Sequence, residues 1–338
     1  MAIRYVRDMV GYSRDDEYTP SEQKVLHKKQ KYHKVFPLQS KQKFRKALLL
    51  PFLLKALKQR KRPQGHPFHL VDPSPWPIFG AAGAFFTAFG FILKVSVADG
   101  SLFSGSFLLY WGLIITLSTA FGWWRDVTRE SLGEGSMTSS VKRGIRMGMV
   151  LFIASEVMFF GSFLCTYTFL AINPVHSLGV MWPPIGVEGF DPLTHPLLNT
   201  LILLASGATL TVGHHAVLEG RRSLACKGIL MTVALGAWFL FGQYVEYTSG
   251  LFHVNDGVYG SVFYILTGFH GAHVFIGFIS LIWCGAKVAA YHVTPSAHVI
   301  VEIVSWYWHF VDVVWLFVFI MAYWWARQTS YITIIGVL

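Results

Sequence analysis

The sequence predicts an all-α polytopic membrane protein with seven transmembrane helices, and three observations carry that prediction. Of 338 residues, 53% are hydrophobic and only 14% charged, well below what a soluble surface needs. Seven apolar stretches each approach or exceed the roughly 20 residues that span a hydrocarbon core. The last of them nevertheless contains Trp306-Tyr-Trp-His-Phe-Val-Asp-Val-Val-Trp-Leu316, which places His309 and Asp312 within a span. A charge at the bilayer centre costs a few kcal/mol, so such side chains need partners inside the protein. The function is to be sought in that polar interior.

The spans follow in order. The first is expected from Trp76 to Val97, behind Pro73, Pro75 and Pro77, which favour a helix start. The second covers Leu102 to Trp124, and the third runs from about Gly144 to the Asn173-Pro174 break. Leu197 to Val217, Gly228 to Gly250, Val258 to Ala290 and His298 to Trp325 complete the set. The third, sixth and seventh exceed the minimum length, which allows tilt without fixing an angle. Gly144 with Gly148, and Gly268 with Gly271, are expected to let helices approach closely. The organisation is thus a basic N-terminal extension (1–70), a membrane domain (71–328) and a short C-terminal tail (329–338), with no internal repeat.

Charge is unevenly distributed. Residues 1–70 hold 17 Lys/Arg against 5 Asp/Glu, whereas the remainder holds 11 against 13. Arg125, Arg129, Lys142, Arg143, Arg221, Arg222 and Lys227 fall in loops on the same side as the extension. The alternate loops carry Glu188, Asp191 and Asp256 but no Lys or Arg. The positive-inside rule then puts the N-terminus in the cytoplasm or an organelle's matrix and the C-terminus opposite. Within the extension, residues 41–62 place an apolar block between basic ends, which suits a helix on an anionic membrane surface. Asp8, Asp15, Asp16, Glu17 and Glu22 are too many acids for a cleaved transit peptide. Docking on neighbouring subunits is the preferred reading of the extension. Cys165, Cys226 and Cys284 stand in separate segments, so a disulfide framework, a zinc site or covalent haem attachment is not expected.

Eight segments carry a family resemblance. They are His69 to Pro77, Trp123 to Val127, Ser155 to Phe160, Leu197 to Thr200, His214 to Gly220, Asp256 to Ser261, Gly268 to His273 and Trp306 to Leu316. In this order they resemble subunit III of cytochrome c oxidase, over residues 66 to about 326. The resemblance implies a non-catalytic core subunit whose helices form two groups, two plus five, around a V-shaped cleft holding phospholipid. Haem and copper would belong to partner subunits I and II. The subunit would sustain proton uptake and protect the catalytic subunit during turnover, together with accessory subunits. Both leading helices, ending at Trp123 to Val127, lean toward the cytochrome c branch over the quinol branch. The implied location is the mitochondrial inner membrane, a bacterial inner membrane being the second candidate.

Candidate site residues follow from both lines. Glu156 lies deep in the third span, and by resemblance matches a buried acid that reacts with hydrophobic carbodiimides. It is read as a lipid-facing or proton-exchanging carboxyl, or as a neutral acid bonded across to His273. His270 and His273 share a helix face, as do His309 and Asp312, with Glu302 just over two turns earlier. Paired histidines of this kind can ligate haem or metal. An interhelical polar network of His270, Glu302, His309 and Asp312, with Asp312 fixing a histidine tautomer, is preferred, and no metal is expected. His214 and His215 point about 100° apart and are read as interfacial. A lipid head-group site is expected from Trp124, Arg129, Glu130, Lys287 and His292, to which the resemblance adds Glu156 and His273. Family members commonly carry His where this chain has Ser136 and Met137. Arg221 and Arg222 are read as topology markers. The rival class is an ion-coupled transporter using Glu156, Glu246, Glu302 and Asp312. It needs helices broken at mid-membrane and an inverted repeat, and neither is seen.

Overall fold

A computed structural model describes residues 66–96, 105–133, 137–174 and 181–326. The basic segment 41–62, the position Ser136 and the C-terminal tail lie outside the described residues.

Among the described residues there are seven helices, each long and apolar enough to cross a membrane. They are α1 (Trp76–Ser96), α2 (Gly105–Gly133), α3 (Ser139–Ile172), α4 (His195–Leu218), α5 (Arg222–Ser249), α6 (Gly257–Ala289) and α7 (Val299–Val318). A π-helical stretch, Phe319–Trp325, continues α7. Every expected span is present, but three ends move. Helix α2 runs to Gly133 rather than Trp124, α3 begins at Ser139 rather than Gly144, and α5 begins at Arg222 rather than Gly228. Apolar runs report the length of chain in hydrocarbon, whereas a helix continues while backbone bonds close and Arg, Lys and Glu propagate it well. Arg125, Arg129, Lys142, Arg143, Arg222 and Lys227 therefore stand on helices, not in loops.

The chain divides between Ile145 and Arg146 into two compact units. In the first, α1 packs along α2. Lipid tails are as apolar as Leu, so close packing drives the contact instead of the hydrophobic effect. A Cβ on Gly90 would strike the backbone at Leu109, and one on Gly112 the backbone at Thr87. The stretch ahead of α1 is tied to the far end of α2. Trp76 Nε1 donates to Asp126 Oδ2 at 2.8 Å, and His69 Nε2 lies 3.0 Å from Glu130 Oε2.

In the second unit α7 touches α4 and α6, and α5 touches α4 and α6. The centre is Trp308, 0% exposed. Its indole lies in a slot floored by Gly236 of α5 and Gly277 of α6, where a Cβ would come within 2.8 and 2.9 Å of ring carbons. Its Nε1 donates to Ser206 Oγ of α4 at 2.8 Å. Helix α3 joins through Phe159, Phe160 and Phe163, whose rings meet Phe269, His273 and Phe310. The small-residue pairs expected from the sequence are not the ones used. Gly144, Gly148, Gly268 and Gly271 have no atom within 4 Å of where a Cβ would stand, among the described residues. Gly213 and Gly228 meet instead, between α4 and α5.

Candidate functional site

Glu156 is the eighteenth residue of the 34-residue α3. At 1.5 Å per residue it lies roughly 25 Å from the helix start, deeper than the apolar run alone suggests. Its Oε2 is 2.9 Å from Nε2 of His273 on α6. The other ring nitrogen, Nδ1, is 2.6 Å from the carbonyl of Phe269, one turn earlier. A carbonyl only accepts, so Nδ1 carries a hydrogen. Nε2 then either receives the proton of a carboxylic acid or donates its own to a carboxylate. In both forms one proton lies between the two heavy atoms. The side chains are 13% and 20% exposed, and the Phe160 ring packs edge-on to the imidazole at 4.8 Å. The lowered local dielectric strengthens this bond and keeps the proton from bulk water.

The polar residues of α6 and α7 do not form the single network expected from the sequence. His270 donates through Nε2 to the carbonyl of Val311 at 3.1 Å, and its Nδ1 has no partner among the described residues. His309 Nε2 lies 3.4 Å from Thr211 Oγ1 on α4. Asp312 Oδ1 is buried without a partner among the described residues, so Asp312 fixes no histidine tautomer through it. Asp312 and His309 instead line the place left by Gly207 of α4. Glu302 stands apart, one end of α7 away. Arg146 of α3 grips it with a fork, Nε to Oε2 at 2.7 Å and a terminal nitrogen to Oε1 at 3.2 Å. The separation has a simple cause: the ten residues from Glu302 to Asp312 rise about 15 Å along a helix.

Glu302 also belongs to the group of three side chains that could hold a metal among the described residues, with His214 and His298. Their ligand atoms lie within 4.8 Å of one another. His298 Nδ1 is 2.7 Å from the Pro295 carbonyl and so carries a hydrogen, which leaves Nε2, 2.7 Å from Glu302 Oε1, to act as ligand or as a second donor. His214 Nε2 is buried without a partner among the described residues. The sequence points to His270, His273 and His309 as facing histidines and does not reveal this group, whose His214 and His298 lie far apart in the chain.

The expected lipid ligands divide between the units. On α2, Trp124 is 65% exposed, Arg129 lies 3.8 Å from Asp126, and Glu130 meets His69. At the end of α6, Lys287 sits over the Trp283 ring at 5.0 Å. His292 follows just past α6, its N–H bonded to the Lys287 carbonyl at 3.0 Å. Burial lowers the His292 pKa, and the Lys287 charge pushes the same way, so at neutral pH the cation there is Lys287. Arg222 does more than mark topology. It donates to the carbonyls of Val288 and Ala289 and lies over the Tyr291 ring, closing the C-terminus of α6. Arg146, missed in the sequence, had one available signal: a charge at the edge of an apolar run.

Fold and site together define an integral membrane protein of seven spans, in which one acid–histidine pair, Glu156 with His273, joins two helices. The family model described as cytochrome c oxidase subunit III matches residues 66–327. An Anopheles gambiae protein described as cytochrome c oxidase subunit 3 is 47% identical over 261 residues, 77% of this chain and 97% of its own length. Proteins of the same description from Arabidopsis thaliana and Equus caballus are 48% and 44% identical, each over 78% of this chain and 98% of theirs. The chain belongs to the cytochrome c oxidase subunit III family, and so to an oxidoreductase complex. The transporter reading finds no support in these relatives.

Proposed function

We propose that this chain packs on the haem–copper subunit I of a mitochondrial inner-membrane cytochrome c oxidase, alongside subunit II, and sustains proton uptake by the catalytic subunit during oxygen reduction. The Glu156–His273 pair carries this reading: one proton, held 2.9 Å between an acid and an imidazole in mid-membrane, is poised to move with little rearrangement. Phospholipid binds this chain, with Lys287 supplying charge to a head group beside His292, and Arg129 to a head group beside Trp124 and Glu130. The N-terminus faces the matrix and the C-terminus the intermembrane space, a reading supported by the cations gathered at the helix ends on the side of the basic extension. The 1–70 extension docks on neighbouring subunits. Redox centres belong to the partners, and no step of electron transfer is assigned to this chain.

The test is lipid and turnover in the intact oxidase. Lys287→Gln should lower the phospholipid phosphate that co-purifies in mild detergent and steepen the loss of activity over successive turnovers. Unchanged lipid content in that variant would remove the head-group site from this reading.

A further inference from the structure

A second buried acid lies at the C-terminal ends of α5 and α7, apart from Glu156. Glu246 is 1% exposed, and its Oε1 accepts the hydroxyl of Tyr323 at 2.5 Å. Gln243 stands one turn earlier on the same face of α5. Asn199 of α4 covers Gly242, one turn from Glu246. Around this acid four buried polar atoms have no protein partner among the described residues: Glu246 Oε2, Gln243 Oε1, Gln243 Nε2 and Asn199 Nδ2. No cation pairs with Glu246 among the described residues.

The inventory of groups is informative. A buried carboxylate without a cation costs several kcal/mol, so the acid is neutral. Tyr323 fills Oε1, which leaves the acid's own O–H on Oε2. That O–H, a carbonyl and two sets of amide hydrogens are what a water needs to make its usual two to four bonds. Tyr323 also belongs to the π-helical stretch, a local widening often found at functional sites. We propose that Asn199, Gln243, Glu246 and Tyr323 form a buried water-binding site, in which Glu246 holds a proton that exchanges through that water. In each exchange the acid's proton passes to water and water returns one of its own, so charge and atoms balance.

The intact oxidase tests this in two ways. Radiolytic hydroxyl labelling marks side chains beside bound water. Tyr323 should be labelled although buried, while Tyr167, equally buried but paired with Trp182, should not. Labelling of neither tyrosine, or of both alike, would overturn the site. Infrared spectra of wild type minus Glu246→Gln should show a protonated-carboxyl stretch that moves to lower frequency in D2O. A carboxylate band instead, or a carboxyl band that ignores D2O, would refute the exchanging acid. Gln243→Leu should abolish the Tyr323 label, and its persistence in that variant would equally count against the site. The wild-type labelling decides if that chain fails to assemble.

Discussion

The bond between Glu156 and His273 separates two substitutions that removal of a charge alone would equate. Glu156→Gln keeps a donor for His273 Nε2 but supplies no transferable proton, whereas Glu156→Ala removes both. The Ala variant leaves a half-buried ring nitrogen without a partner, at a cost of about 1–3 kcal/mol, and should weaken assembly. The Gln variant should assemble normally yet inactivate after fewer turnovers. Equal lifetimes for Gln and wild type, counted as oxygen consumed before activity halves, would leave the pair a structural contact. At the Glu302 end, Arg146→Ala strands the acid with His298. Breaking a buried pair costs roughly 3–5 kcal/mol, and partial exposure here reduces that to about 2 kcal/mol. Lower thermal retention of the subunit in the complex would register it. The acids and His270 were legible in the sequence, since each interrupts an apolar run. So was the pairing of Glu156 with His273, but the partner of Glu302 was not: Arg146 and Glu302 lie 156 positions apart, and helix rotation decides which side chains meet.

Helix packing rests on close approach at a few small residues, and the slot for Trp308 makes this testable. Trp308→Phe loses the bond to Ser206, where interhelical hydrogen bonds in membranes average about 0.6 kcal/mol, and leaves a small void where the larger indole stood, on the order of 1 kcal/mol. Gly236→Val instead pushes a branched side chain into the indole, and overpacking costs about 1–3 kcal/mol. The Gly variant should therefore be the more damaging, by denaturation in detergent; the reverse order would place the stabilisation in the indole's own bond and bulk and not in the close approach of the helices. Arg222→Ala should loosen the α6 C-terminus by on the order of 1 kcal/mol, with Arg222→Lys intermediate, as hydrogen exchange of residues 286–290 would report. Existence of every helix was legible from apolar length, but polar ends such as Arg222 to Lys227 were not, because hydropathy is blind to helix beyond the hydrocarbon. The glycine contacts were not legible for a related reason. Spacing shows which glycines share a face and says nothing of which face meets a neighbour.

At the scale of the molecule, the family match begins at residue 66, so the machinery shared with relatives is separable from the basic extension. The extension holds 17 cations against 5 acids, and a surface that binds it must be acidic or anionic. Such contacts weaken as salt screens them over about 10 Å at 0.1 M. Replacing the chain by residues 66–338 should therefore leave oxygen consumption and the haem-bearing partners in place. A subset of accessory subunits should be lost, as quantified by mass spectrometry of the complex purified in mild detergent. The same subunits should leave the full-length complex as ionic strength rises. If the shortened chain retained every partner in full amount, the docking role would fall. If it lost the haem-bearing partners as well, the extension would be part of assembly itself, and the division at residue 66 would be one of sequence without being one of function.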